Sequence, residues 1–361
     1  MKVLQIITSL ETGGAEKLIL ESVPLYQKKG LEMDVLLLSD RPSAFREDLE
    51  SLSQGRIFGL TKKSIYNPFL IFKIIPYLRK YDLIHAHLFP VVYWVVFAKL
   101  ISFNKTPIVY TEHSTSNGRR KYPLFKILDR FVYGFFSKIA CISEGVCNEL
   151  KAHLGSSKKT CVINNGLSLN KFKVSSGEKK DKFSFFSPDD KVLIQVSSFR
   201  QQKDQETLIS AIQYLPENIK LLLVGDGDLR NEREKQVTLL QLENRVLFLG
   251  KRYDIPSLLR YSDIVIQSSK IEGFGLAIVE GMATGRPVIA SDIEGLREIV
   301  GGYGLLFKQG DAKGLAEQIL VLINDQGRYD EVSARCLYRS NDFSIDRMVD
   351  EYIKVYYENV K

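Results

Sequence analysis

The stretch DIVIQSSKIEGFGLAIVEGMATGRPVIASD, residues 263–292, reads as strand, loop, helix and strand in succession. DIVIQSS and PVIASD are short apolar runs rich in β-branched residues, the pattern of strands buried on both faces. Between them a glycine-rich loop, KIEGFG, leads into a helical pattern from about Leu276 through Ala283, and TGRP ends it. A unit of this kind pairs its two strands in parallel. It also sets two carboxylates eight positions apart, Glu272 in the loop at the carboxyl end of the first strand and Glu280 just past the first helical turn. Gly273 and Gly275 let the loop fold tightly over a ligand. The N–H groups of Phe274, Gly275 and Leu276 fall at the helix start, where partial positive charge favours a phosphate. One carboxylate can accept hydrogen bonds from sugar hydroxyls and the other from a ribose diol. Taken alone, two glutamates at this spacing are more often a loop charge and a surface helix residue.

The same rhythm runs along the rest of the chain. In the first half, strands are expected at 2–8, 33–39, 82–88, 107–113, 138–143 and 161–166, with helical patterns such as 15–30 and 123–138 between them. Residues 169–190, LNKFKVSSGEKKDKFSFFSPDD, are polar and break the alternation, as a linker or domain-edge loop does. Strands resume at 192–198, 220–226, 246–250, 263–269 and 287–292. Two successive series predict an α/β protein of two doubly wound, Rossmann-like domains facing a central cleft. The expected division is 1–168 and 169–344, with a C-terminal helix at about 345–361 packing back onto the first domain. Doubly wound sheets bind ligands beyond the carboxyl ends of their strands. Here those ends carry TGG, His85 and His87, Glu112 and His113, Ser143 and Glu144, Asn165 and Gly166, Arg200 to Lys203, GDGD and EGFG.

At 361 residues and 45% hydrophobic composition, the chain is long enough for two cores. Its net charge of +7 is uneven: residues 1–165 carry 23 Lys and Arg against 14 Asp and Glu, the remainder 27 against 29. A basic half can face anionic lipid, an acidic substrate or nucleic acid. No RNA- or DNA-binding motif accompanies it, so nucleic acid is not an expected partner. Cys141, Cys147, Cys161 and Cys336 lack metal spacing and read as buried, reduced thiols of a cytosolic protein. MKVLQIITSLETGG does not have the pattern of a secretory signal. FPVVYWVVFAKLISF, 89–103, falls short of the roughly 20 residues that span a bilayer and contains Lys99, so a buried helix is expected.

Other segments admit two readings. In SLETGGAEKLI, 9–19, Gly13 and Gly14 suit either an anion site at a helix N-terminus or a tight turn needing positive φ. The segment is neither a dinucleotide fingerprint nor a P-loop. In FRQQKD, 199–204, Arg200 and Lys203 offer a planar fork and a point charge to a diphosphate, or are simply solvated. His85 and His87 flank Ala86 and share a strand face; two ligands at alternate positions do not make a metal site, so core or cleft-lining histidines are expected. NGRRKYPLFKILDRFVYGFFSK, 117–138, places Arg119, Arg120 and Lys121 before a helix bearing Phe125, Phe131, Tyr133, Phe135 and Phe136. An interfacial membrane helix and a core-packed helix with a basic entry both fit. PFLIFKIIPYLRK, 68–80, is open in the same way.

The segment SSKIEGFGLAIVEGMATGRPVIASDIEGLREIV, 268–300, closely resembles the signature of family-four retaining glycosyltransferases with the GT-B fold. The likeness extends through GGAE (13–16), TEH (111–113), ISE (142–144), NG (165–166), QKD (202–204), VGDGD (224–228), FLG (248–250) and GLLF (304–307). The resemblance implies that Glu272 contacts the transferred sugar and Glu280 holds the nucleotide ribose. It implies that Gly273, Phe274, Gly275 and Leu276 form the loop meeting the diphosphate or sugar, that Lys203 meets the diphosphate, and that Gly225 belongs to the nucleotide-sugar site. Gly13 and Gly14 match the loop near the phosphates and acceptor. His113 matches the histidine near the sugar's primary hydroxyl and the reacting carbon. The chain departs from the pattern once. The family often has an arginine directly after a glycine ahead of the lysine; here Ser197, Ser198 and Phe199 stand there, and Arg200, two positions late, is the residue available for that role.

The resemblance further implies transfer of a sugar from a nucleotide-diphosphate donor, bound by the second domain, to an acceptor hydroxyl held by the first, in bacterial surface polysaccharide or glycolipid synthesis. It implies no metal or other cofactor. A non-catalytic sugar-nucleotide-binding protein and a GT-B epimerase remain open on the same scaffold. The basic first domain points to a cytosolic enzyme working on a lipid-linked or polyanionic glycan at the inner membrane face, in peripheral contact with anionic lipid.

Overall fold

The computed structural model describes residues 1–11, 13–114, 122–155, 158–172, 183 and 185–360. Arg119, Arg120 and Lys121 lie outside the described residues. The chain divides into two units, Met1–Gly166 with Ile345–Lys361, and Leu167–Ser344.

Unit 1 is a seven-stranded parallel sheet of β1 (Lys2–Ile7), β2 (Glu32–Ser39), β3 (Ile57–Thr61), β4 (Leu83–His87), β5 (Ile108–Glu112), β6 (Lys138–Cys141) and β7 (Thr160–Val162). The strand order is β3-β2-β1-β4-β5-β6-β7. The crossovers are α1 (Gly14–Lys28), α2 (Ala44–Leu52), α3 (Leu70–Leu78), α4 (Val91–Ile101), α5 (Pro123–Tyr133) and α6 (Glu144–Leu154). α4 realises the buried helix expected at 89–103, with Val91, Val92, Tyr93, Val95, Val96 and Ala98 in the core. The helix expected over 123–138 is shorter: it ends at Tyr133, with Gly134 as its cap, and β6 already begins at Lys138.

Unit 2 carries six parallel strands, β8 (Lys191–Val196), β9 (Ile219–Val224), β10 (Val246–Gly250), β11 (Ile264–Gln267), β12 (Val288–Ser291) and β13 (Leu305–Phe307), in the order β10-β9-β8-β11-β12-β13. Its helices are α7 (Gln205–Ile212), α8 (Arg230–Leu239), α9 (Ile255–Tyr261), α10 (Leu276–Ala283), α11 (Glu294–Val300), α12 (Ala312–Asn324) and α13 (Gln326–Ser340). The chain then forms α14 (Ile345–Asn359), which belongs to unit 1. Ile345, Met348, Val349, Tyr352, Val355 and Tyr356 recur at helical spacing and pack with Leu18, Ile19, Val23 and Tyr26 of α1 against Val3, Ile7, Leu83 and Val109 of the sheet.

Both sheets are doubly wound, and each reverses strand order once, between β1 and β4 in unit 1 and between β8 and β11 in unit 2. Beyond the carboxyl ends of such neighbours the crossover helices diverge and leave a crevice. Register decides what lines it. In unit 1, Gln5 pairs with His85, and His87 with Thr111. With side chains alternating along a strand, Gln5, His85, His87, Thr111 and His113 share the face covered by α1 and α14.

Candidate functional site

In unit 2 the switch point carries an ion pair. After β8 the chain makes a single turn of 3-10 helix at Gln201–Lys203, and after β11 it enters the EGFG loop. This brings Lys203 Nζ to 2.6 Å from Glu272 Oε2, with side chains 23% and 14% exposed. Ser269 Oγ and Gln267 Nε2 lie 3.2 and 3.4 Å from the same carboxylate oxygen. Beneath the lysine, Gln195 Nε2 donates to the Lys203 carbonyl at 3.0 Å. The Ser268 hydroxyl sits 2.8 Å from both Gln195 Oε1 and the Asp204 carbonyl. Asp204 in turn pairs with Lys270 at 2.9 Å and accepts from the Thr207 hydroxyl at 2.7 Å. Lys203 is therefore held through its own backbone, leaving its ammonium and the Glu272 carboxylate at the open edge.

α10 begins immediately beyond. Gly275, with φ +85, is its N-cap, and no side chain caps the helix. Left-handed backbone here needs glycine, and the first-turn amides remain available to an anion. Phe274 is buried and meets the Phe343 ring edge-on at 5.4 Å, so its side chain anchors the loop while its backbone faces the helix start. Glu280 is buried within α10. Gly225, with φ +133, passes so close to β8 that a Cβ would lie 2.1 Å from the Ser197 carbonyl oxygen. Arg200 is not drawn to Lys203: its exposed side chain lines a separate small cavity with Arg233 and Lys270.

In unit 1 the corresponding edge is a hydrogen-bonded cluster of neutral rings. His87 Nε2 lies 2.7 Å from Gln5 Oε1, and His87 Nδ1 lies 3.1 Å from His113 Nε2. His85 contacts the Tyr356 hydroxyl through Nδ1 at 2.6 Å and the Thr111 hydroxyl through Nε2 at 2.7 Å. Burial holds the pKa of His85 and His87 well below the usual histidine value and lowers His113 to about 4. At neutral pH none of the three is a cation. Gly13 and Gly14 enter α1, again with no capping side chain. The tight positive-φ turn that was one reading of this pair is absent: Gly13 has an extended φ of −164. A Cβ on Gly13 would lie 2.1 Å from Glu16 Oε2, so the glycine makes room for a carboxylate whose pKa burial raises.

Sequence reading missed Gln195, Gln267, Ser268, Ser269, Gln5 and Tyr356. Gln195 and Gln267 had a signal: each is the one amide in an otherwise apolar strand, and each precedes a serine pair at a carboxyl end, QVSS and QSS. Gln5 occupies the matching place in β1. Nothing in the chain order ties Tyr356 to His85, 271 residues away. Among the described residues no group of three or more His, Cys, Asp or Glu side chains is arranged to hold a metal ion. No described helix is long and apolar enough to cross a membrane.

The geometry agrees with what the chain is similar to. The family model described as "Glycosyl transferases group 1" matches residues 177–338, and "Glycosyltransferase Family 4" matches 12–171. The N-acetyl-alpha-D-glucosaminyl L-malate synthase of Bacillus anthracis is 29% identical over 287 residues, covering 77% of this chain and 74% of that protein. The UDP-Gal:alpha-D-GlcNAc-diphosphoundecaprenol alpha-1,3-galactosyltransferase of Escherichia coli is 29% identical over 301 residues, covering 78% and 76%. Anabaena HepE, crystallised with UDP and glucose, superimposes with a TM-score of 0.87 at 26% identity, covering 99% of this chain and 100% of that one.

Proposed function

This chain belongs to the family-four, group 1 glycosyltransferases of the GT-B fold, and from that premise we propose that it moves a sugar from a uridine diphosphate donor to an acceptor hydroxyl with retention at the anomeric carbon. The observation that carries the proposal is the Lys203–Glu272 pair, 2.6 Å apart at the switch point of unit 2, beside the uncapped start of α10. An ammonium and a row of backbone amides suit a diphosphate; a carboxylate next to them suits the hydroxyls of the sugar it carries. The choice of uridine follows Anabaena HepE, which holds UDP and glucose.

In this reading a β-phosphate oxygen displaces the Glu272 carboxylate from Lys203, and Glu272 turns to the sugar. Glu280 accepts from the ribose diol, and the backbone of Gly273 to Leu276 contacts the diphosphate. Gly225 keeps the neighbouring loop low enough to leave room for the nucleotide. Arg200, exposed on the loop before Lys203, swings toward the diphosphate when the donor binds, and Gly13 and Gly14 offer the backbone amides at the start of α1 to an anionic group of the substrates. His113 accepts from the primary hydroxyl of the sugar. As the bond from the anomeric carbon to the β-phosphate oxygen breaks, negative charge grows on that oxygen, and Lys203 and the α10 amides stabilise it. The acceptor oxygen bonds to the same face of the carbon and passes its proton to the departing phosphate. No metal ion or further cofactor enters this scheme.

The acceptor class we propose is a lipid-linked or polyanionic glycan reached at a membrane surface, as in the E. coli relative whose name specifies a diphosphoundecaprenol acceptor. Supporting it is α5 of unit 1, an exposed apolar stripe bordered by cations. Lys203→Ala and Glu272→Ala are each expected to lower turnover with UDP-sugar by about 10²-fold or more, the scale for a lost transition-state contact. Near-normal transfer by both variants would refute the assignment.

A further inference from the structure

Three of the chain's four histidines meet at the carboxyl edge of unit 1, yet the reaction above uses one. His85 and His87, 1% and 4% exposed, touch no solvent that would explain them. Hydrogen-bond valence fixes where their protons lie. Gln5 Nε2 donates to the Tyr356 hydroxyl at 3.1 Å, so Gln5 Oε1 faces His87 Nε2 at 2.7 Å. A carbonyl oxygen only accepts, so His87 carries its proton on Nε2. A neutral imidazole has one proton, which leaves His87 Nδ1 as a bare lone pair. That lone pair stands 3.1 Å from His113 Nε2, which must supply the hydrogen. His113, with its single proton spent on His87, presents Nδ1 as an acceptor.

Tyr356 sets the direction of this chain. Its oxygen accepts from Gln5 Nε2 at 3.1 Å, with the Tyr26 ring packed beside it at 5.7 Å between centroids. The same hydroxyl lies 2.6 Å from His85 Nδ1, which takes its proton in the tautomer where His85 Nε2 donates to Thr111 Oγ1 at 2.7 Å. With its proton on His85, Tyr356 offers Gln5 only an acceptor, which keeps the amide N–H on its side. Burial suits the scheme: desolvation keeps all three rings in the neutral form that can hold a single tautomer.

We infer that His87 is a positioning residue for sugar transfer: seated on Gln5 and, through Tyr356, on the C-terminal helix α14, it takes the Nε2 proton of His113 and fixes His113 Nδ1 as the acceptor for a hydroxyl of the bound sugar. The consequence for transfer rests on the reading that His113 meets that sugar; the tautomer lock itself does not. Gln5→Glu tests the lock directly. A carboxylate cannot donate to Tyr356, and it draws a second proton onto His87. His87 Nδ1 then becomes a donor, and His113 must receive it on Nε2 and move its own proton to Nδ1.

The experiment is long-range proton–nitrogen NMR on the full chain labelled with ¹⁵N-histidine, which reads the tautomer of each ring, paired with donor kinetics. The native protein is expected to show His113 protonated on Nε2. Gln5→Glu is expected to move that proton to Nδ1 and to lower kcat/KM for the UDP-sugar about tenfold, the scale of one hydrogen bond, while affinity for UDP alone is unchanged. Tyr356→Phe, which keeps the buried ring and frees the Gln5 amide, is expected to give a mixture of the two tautomers and an intermediate rate. A native His113 protonated on Nδ1 overturns the lock. A rate that does not follow the tautomer in these variants overturns the positioning role. Full activity in His113→Ala marks the failure of the underlying reading of His113, whatever the tautomers show.

Discussion

At the carboxyl edge of unit 2, Lys203 and Glu272 meet as a part-buried ion pair, whereas the same edge of unit 1 is closed by His85, His87, Gln5, Tyr352 and Tyr356 with no net charge at neutral pH. The two edges arise from the same strand order, yet they do different physical work. A part-exposed ammonium and carboxylate attract each other weakly, because water screens them, so an incoming phosphate can take the place of the carboxylate. A buried neutral network offers no such exchange: each donor and acceptor removed leaves a partner unsatisfied. Unit 2 thus holds charge that can be re-paired, and unit 1 holds fixed geometry.

The largest test of this contrast is Tyr356→Ala. The side chain is fully buried, its hydroxyl joins Gln5 and His85, and its ring packs on Tyr26. Removing it is expected to cost about 3–5 kcal/mol from the lost ring alone. The single tryptophan, Trp94, lies in unit 1, so its fluorescence during urea unfolding follows that unit. Lys203→Ala makes the opposite case. Glu272 keeps Ser269 and Gln267 as donors, so stability is expected to fall by about 1 kcal/mol or less while turnover collapses. A tryptophan midpoint that Tyr356→Ala leaves in place would show that the network is ornamental.

Acid should separate the units next. All four histidines of the chain lie in unit 1. His85, His87 and His113 have folded pKa values below that of the unfolded chain, about 4 for His113. Between the usual histidine pKa near 6.5 and the lowered folded values, the unfolded state binds more protons. The stabilisation is therefore complete above about pH 6.5 and is lost as pH falls, at up to about 1.4 kcal/mol per pH unit for each histidine held neutral. The Trp94 unfolding midpoint is expected to drop steeply from pH 6.5 toward pH 4.5. A midpoint independent of pH over that range would mean that these rings accept protons in the folded state.

How legible each edge was in the sequence follows from the same difference. Unit 2 announces itself locally. Glu272, Gly273, Gly275 and Glu280 fall within one strand, loop and helix, so spacing along the chain is nearly spacing in the fold. Lys203 comes from the neighbouring strand's turn, and only the parallel order β8-β11 brings it alongside. Unit 1 is assembled from β1, β4, β5 and a helix at the far end of the chain, and polar residues inside apolar runs gave no sign of their partners. The strands left unread, β3 and β13, both sit at a sheet edge. All five residues of β3 are half-buried and β13 has only three, so neither shows the continuous apolar run of an interior strand. At Gly13 the sequence leaves an anion site and a positive-φ turn both open, and only the turn is excluded by the extended backbone; the room the glycine makes for Glu16 leaves no trace in its neighbours' periodicity.

The two glycine loops sharpen the contrast on a smaller scale. Gly275→Ala places a side chain in left-handed backbone and within 2.6 Å of Leu296 Cδ2 in the core of unit 2. The conformation alone costs about 1–2 kcal/mol. Gly13 is extended, and its added methyl meets only the end of the flexible Glu16 side chain, so Gly13→Ala is expected to cost less than about 0.5 kcal/mol. Calorimetry on the two variants checks the order. If Gly13→Ala proves the more destabilising, Glu16 is a fixed structural element of unit 1 and cannot yield to a ligand.

The smallest expected effect concerns the outer surfaces. Among the described residues of unit 2 the large exposed apolar side chains are Tyr214, Leu239, Tyr253, Ile271, Val321, Leu337 and Tyr338; Leu337 and Tyr338 share α13 as immediate neighbours, which do not face each other on a helix, and the others lie on separate helices and loops. In unit 1, α5 aligns three of them, Leu124, Ile127 and Phe131, exposed by 75%, 68% and 52%, at intervals of three and four residues. Lys126 and Arg130 border the stripe, both exposed, and Arg130 Nε also holds the Leu154 carbonyl. The acid of this helix, Asp129, is buried against Tyr93 and His153 and so does not oppose the cations. An apolar stripe flanked by cations fits the interface of an anionic bilayer, where each cation near the surface contributes about 1 kcal/mol. Lys126→Ala is therefore expected to weaken co-sedimentation with vesicles containing anionic phospholipid about fivefold, and Ile127→Ser to weaken it further at any salt concentration. Raising salt should erase the Lys126 effect and leave the Ile127 effect, since screening acts on the charge and not on apolar burial. Binding that ignores both salt and lipid charge would assign the stripe to a protein partner and leave the membrane proposal without support.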